Sequence, residues 1–109
     1  MDRDRAYLFD ILESAQVAIA HVEENDKESF LADVKSQDAV IRRFEIIGEA
    51  ARRISDSFRS NHPELPWAEM IGMRNLLIHE YDDVDLHVVW RTVVYELPDL
   101  VKKIEAILG

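Results

Sequence analysis

An all-α fold follows from three features of this 109-residue chain. Apolar residues recur at three- and four-residue spacing through most of its length, the period of a helix with one buried face. Only three Gly and three Pro are present, too few for the turns of a many-stranded protein. Apolar residues make up 48% and charged residues 32%, which supplies both a core and solvated outer faces. The length suits one domain, residues 1–109, and not two. The expected architecture is an antiparallel bundle of four main helices plus a short one.

The first helix is expected from about Asp4 to Glu24, with Leu8, Ile11, Leu12, Ala15, Ala18, Ile19 and Val22 as its stripe and Asp2 or Asp4 as cap. Asn25-Asp26-Lys27-Glu28 interrupts the stripe. Asn25 and Glu28 have capping-box spacing, so a short lid helix carrying Phe30, Leu31 and Val34 should follow. Ser36 is the expected cap of helix three, which should run from about Gln37 to Arg59 on the seam Val40, Phe44, Ile47, Ala51, Ile54 and Phe58. Gly48 inside that seam predicts close approach by another helix. Glu49 beside it reads either as a surface carboxylate or as a partner for a buried Arg.

Two prolines in Asn61-His62-Pro63-Glu64-Leu65-Pro66 mark a loop. Helix four should run from about Pro66 to Glu80. Asp82-Asp83 forms the next turn and either can cap helix five, with Asp85 in its first turn. Helix five extends to Leu108, and Pro98 predicts a kink or break near Leu97.

Several function classes drop out on composition. There is no cysteine, hence neither disulfides nor a thiolate metal site. No apolar run reaches the ~18 residues of a membrane span, and the charged start, Met1 to Arg5, is no signal core. A cytoplasmic protein is the expectation. The net charge of −9 argues against binding to duplex DNA. Arg42, Arg43, Arg52, Arg53 and Arg59 lie close together, however, and leave room for a local positive surface.

Chemistry concentrates in Arg74-Asn75-Leu76-Leu77-Ile78-His79-Glu80-Tyr81. Arg74 and His79 differ by about 140° around a helix but by only about 7.5 Å along it, so two long side chains can converge on one phosphate. Asn75 and His79, four apart, share a face. His titrates near neutrality and Arg is a permanent cation with a forked donor set. Together they suit cleavage of a phosphodiester by a ribose 2′-hydroxyl, with no metal or other cofactor required. A symmetric dimer would supply a second His. Taken singly, each residue has a plainer reading: a surface cation, a helix-dipole partner, a half-buried packing residue. A metal site from His79, Asp82, Asp83, Asp85 and His87 has the right atoms, but acids at a helix junction more often cap and solvate. His21 and His62 read as surface or loop residues without partners.

Met73 to Tyr81, with Asp83-Val84-Asp85 and Val89-Trp90 after it, closely resembles the HepT-like toxins of the HEPN superfamily. Arg43-Phe44-Glu45-Ile46-Ile47-Gly48-Glu49-Ala50-Ala51 is similar to the same family's third helix. The resemblance implies a HEPN-type all-α bundle that forms a homodimer, with the Arg–His sites in a cleft near the two-fold axis. It implies a metal-independent endoribonuclease, the toxin of a HEPN/MNT (type VII) toxin–antitoxin system. The antitoxin would be a minimal nucleotidyltransferase that silences the toxin by AMPylation. By position, Arg74 and His79 would be catalytic, Asn75 supporting and Tyr81 the modified residue. The alternative is a non-catalytic HEPN module that binds nucleotide or RNA and docks a nucleotidyltransferase.

Overall fold

The computed structural model describes the backbone of residues 2–79 and 85–109, and the side chains of residues 2–73 and 85–109. Seven helices and no strands occur among the described residues. The all-α expectation holds. The helix count rises from five to seven because two of the expected helices are each divided.

Helix α1 spans Arg3–Glu23, and Asp2 caps it by accepting from the Asp4 and Arg5 amides. Of its predicted stripe Leu8, Ile11, Leu12, Ala15, Ala18 and Val22 are buried, and Ile19 is half-buried against them. Helix α2, Lys27–Ala32, is the lid, and Phe30 on it is fully buried against Trp90, with ring centroids 5.6 Å apart.

The caps at this corner differ from expectation by a residue or more. Asp26, and not Asn25, caps α2 by accepting from the Ser29 amide at 2.8 Å. Asn25 instead donates to the His21 carbonyl at 3.1 Å, closing the end of α1. Asp33, and not Ser36, caps α3; Ser36 donates its hydroxyl to Asp33 at 2.8 Å and fixes that carboxylate. Both caps are carboxylates, which accept charge-assisted bonds from the helix amides.

Helix α3 covers Val34–Arg53 and stops there, six residues before the predicted end at Arg59. Ile54 is extended, and Ser55 caps a separate helix, α4, over Asp56–Asn61. The cause lies 51 residues away. Asp4 accepts from the Ser55 amide at 2.9 Å and from its hydroxyl at 2.6 Å. That contact satisfies the chain where it leaves α3. The break also separates Ile54, buried in the core, from Phe58, which packs on His62 and Trp67.

Helix α5 runs over Trp67–His79, so its described end falls one residue before the expected Glu80, which lies outside the described residues. Helix α6, Leu86–Tyr95, is capped by Asp85, which accepts from the His87 and Val88 amides. Asp85 was expected inside the first turn; Asp82 and Asp83, the expected caps, lie outside the described residues. The break before Leu97 is present, and α7 occupies Leu97–Leu108 with Pro98 in its first turn, where a missing N–H costs nothing.

Helix α1 packs along α3, α6 and α7, and α3 packs along α5. One core joins them, built on Leu8, Ile11, Ile47, Met70, Leu97 and Ile104, all fully buried. Arg5 ties the ends together by donating to the Leu108 carbonyl at 3.1 Å. No described helix is long and apolar enough to cross a membrane.

Candidate active site

Arg74, Asn75 and His79 belong to the second half of α5, which is helical from Trp67 through His79. All three expected site positions therefore ride on one helix, with 75 and 79 one turn apart. Their side chains lie outside the described residues, and so does the whole of Tyr81. The described part of the molecule is the platform beneath the motif.

That platform is anchored by the start of α5 and by its packing on α3. Trp67 opens the helix and donates its indole N–H to the His62 carbonyl at 2.9 Å. Met70, one turn before Arg74, has no exposed surface. The helix lies against α3, whose buried face includes Phe44, Ile47, Gly48 and Ala51. Gly48 is thus on the packed side of α3, as its position in the seam predicted. A site carried on a packed helix is placed more precisely than one on a loop.

Four of the five clustered arginines on α3 and α4 are paired with carboxylates. Glu49 accepts from Arg52 at 2.8 Å and from Arg53 at 2.7 Å. Arg42 faces Glu45 at 3.5 Å, and Arg59 pairs with Asp56. Helical spacing of three or four explains every pair. These pairs offset the charge of four of the five clustered arginines. Glu49 does pair with arginine, but with two half-exposed ones among the described contacts.

Tyr7 had no signal in the sequence. It borders a cavity of about 440 Å³ between α1 and α3, together with Asp10, Arg42, Glu49 and Arg53. A hydrogen bond with Arg53 holds its phenol below the ordinary tyrosine range, and Arg3 adds to this. Arg53 is itself pushed up by Glu49 and then by Tyr7. The contact joins residues 46 positions apart, and no local pattern announces it. With carboxylates interleaved among the guanidiniums, this cavity is a paired network and not an anion cradle.

The histidines also gain context. His62 lies against Phe58 with ring centroids 4.5 Å apart, and its Nδ1 is 3.4 Å from Glu64. It is a packed loop residue with partners, contrary to the expectation of none. Among the described residues no group of metal-ligating side chains comes together. Asp85, one member of the imagined acidic site, is engaged as a helix cap.

Set against known proteins, the chain matches the family model described as "Ribonuclease HepT-like" over residues 11–107. The chain belongs to the HepT-like ribonuclease family. A ribonuclease is the enzyme class that this membership carries. A "Probable ribonuclease HepT" from Thermococcus cleftensis is 48% identical over 99 residues, covering 91% of this chain and 90% of that one. A protein of Methanocaldococcus jannaschii, provisionally named an RNase, is 42% identical over 103 residues and covers 94% of each chain. A similarly named protein of Caldanaerobacter subterraneus subsp. tengcongensis is 39% identical over 108 residues, covering 99% of this chain and 96% of that one. No solved structure matches the chain.

Proposed function

We propose that the protein is the toxin of a HEPN/MNT toxin–antitoxin system, an endoribonuclease that needs no metal. The observation that carries this reading is the coincidence of two facts. The chain belongs to a ribonuclease family, and its one dense group of Arg, Asn and His sits on a helix anchored in the core. In this scheme a ribose 2′-hydroxyl attacks the adjacent phosphorus. The 2′-O–P bond forms, the P–O5′ bond breaks, and the products are a 2′,3′-cyclic phosphate and a 5′-hydroxyl. His79 takes or gives the travelling proton. Arg74 stabilises the charge that builds on the phosphoryl oxygens, and Asn75 orients the imidazole or the sugar. A homodimer brings a second His79, so one imidazole can act as base and the other as acid.

Control is assigned to Tyr81. A nucleotidyltransferase antitoxin transfers AMP from ATP to its hydroxyl and releases pyrophosphate, which places bulk and negative charge next to Arg74 and His79 and repels RNA phosphate. The protein works in the cytoplasm, where its RNA substrates are. The acidic net charge confines RNA to the cleft and leaves the exterior to a basic partner.

The test is growth arrest on induction of the wild type and of His79→Ala, each without an antitoxin gene. Arrest by the wild type alone, with the mutant folded, supports the reading. Equal toxicity removes His79 from the mechanism. Harmlessness of both, with Tyr81 peptides of unmodified mass, favours the non-catalytic partner module.

A further inference from the structure

Helix α5 contains a glycine that this chain's own fold does not require. Gly72 lies in the helix interior, where glycine is a poor choice. Its backbone is not in the left-handed region, so no unusual conformation explains it. Nor does packing, because a Cβ added there would meet nothing within 4 Å. The missing side chain instead leaves the α5 backbone open to something outside the chain.

What surrounds Gly72 indicates the chemistry of that visitor. Two adjoining cavities of about 240 and 190 Å³ share Glu69, Met73 and Glu96 and form one trough between α5 and the α6–α7 junction. Its walls include Phe44, Val89 and Leu97, all apolar and buried. Its rim carries two exposed carboxylates, Glu69 and Glu96. Neither has an ion-pair partner among the described residues. Glu96 even stands at the N-cap of α7 without making a side-chain capping bond.

An anionic rim repels phosphate, so the trough is not an RNA path. An apolar floor between two unpaired carboxylates fits a lysine or arginine flanked by apolar side chains. We propose that this trough docks a protein partner that sets a basic residue between Glu69 and Glu96 and lays an apolar side chain over Gly72. The proposal rests on the function argued above, in which that partner is the nucleotidyltransferase antitoxin. Position 72 is only about 10 Å along the helix axis from position 79. A partner seated in the trough is thereby held beside the catalytic motif.

The experiment is calorimetric titration of the cognate nucleotidyltransferase of the reading above into the full chain. The variants are Gly72→Leu and the double change Glu69→Lys with Glu96→Lys, with Glu13→Lys on exposed α1 surface as control. The expected result is at least a tenfold weaker affinity for both trough variants and an unchanged affinity for the control. Gly72→Leu should melt no lower than the wild type, because leucine is the better helix former and its site is open. Wild-type binding that both trough variants retain overturns the docking site and leaves the toxin reading intact. Absence of wild-type binding removes the antitoxin from that reading and this proposal with it. If sedimentation shows that the variants lose a dimer contact instead, a second copy occupies the trough and the proposal is wrong.

Discussion

Single residues decide where the helices begin and end, and most of them act through one carboxylate. Asp4 receives two hydrogen bonds from Ser55, and these hold its carboxyl below the ordinary aspartate range. Bonds from Ser29 and Ser36 lower Asp26 and Asp33 in the same way. A folded-state pKa below the unfolded value means that the unfolded chain binds protons first. The stabilisation is therefore complete above about pH 4 and is lost as pH falls through the lowered values. Equilibrium unfolding followed against pH should show this loss. In Asp4→Asn the acid-side slope should be shallower. Ser55→Ala removes the α4 cap and the hydroxyl half of the Asp4 tie, and leaves the bond from the Ser55 amide. It should cost about 1–2 kcal/mol in urea denaturation.

At the scale of elements, α5 and α7 make opposite predictions. Gly72 sits in open space on α5, so Gly72→Ala should stabilise the isolated protein by up to about 1 kcal/mol, read as a higher urea midpoint. Leu97 begins α7 with no exposed surface, directly after the break. Leu97→Ala leaves a cavity where α6 and α7 meet the core and should cost about 2–5 kcal/mol. Pro98 costs the fold nothing, since it occupies the first turn of a new helix and not the middle of an old one. The division of the expected third helix has a different origin, because no proline or glycine stands at 54 or 55. A side chain from α1 holds that break open.

For the whole molecule, catalysis should separate from folding. His79→Ala is expected to lower the RNA cleavage rate by about 10²–10⁴-fold, the range of a lost general acid or base. Thermal melting and sedimentation should match the wild type. Substrates carrying a 2′-deoxy sugar at the scissile position should resist the wild type completely. Cleavage of that sugar would contradict attack by the 2′-hydroxyl. On α3 and α4, carboxylates one turn away offset the charge of Arg42, Arg52, Arg53 and Arg59.

Much of this protein is determined by its sequence alone. Local sequence specifies the all-α class, the stripe of α1, a short helix carrying Phe30 and, through Pro98, the break before Leu97, because each follows from residue types a few positions apart. Arg74 to Tyr81 stands out there as the candidate site, on residue types at close spacing. Tertiary structure decided the rest. It ended α3 at Arg53 through Asp4, placed Tyr7 beside Arg53, paired the arginines with neighbouring carboxylates and opened a trough over Gly72. The Asp4, Tyr7 and Gly72 features join or expose groups that are distant along the chain, and periodicity carries no information about them. The arginine pairs are local, but whether a carboxylate at helical spacing takes up its arginine depends on rotamers that only the packed surface selects.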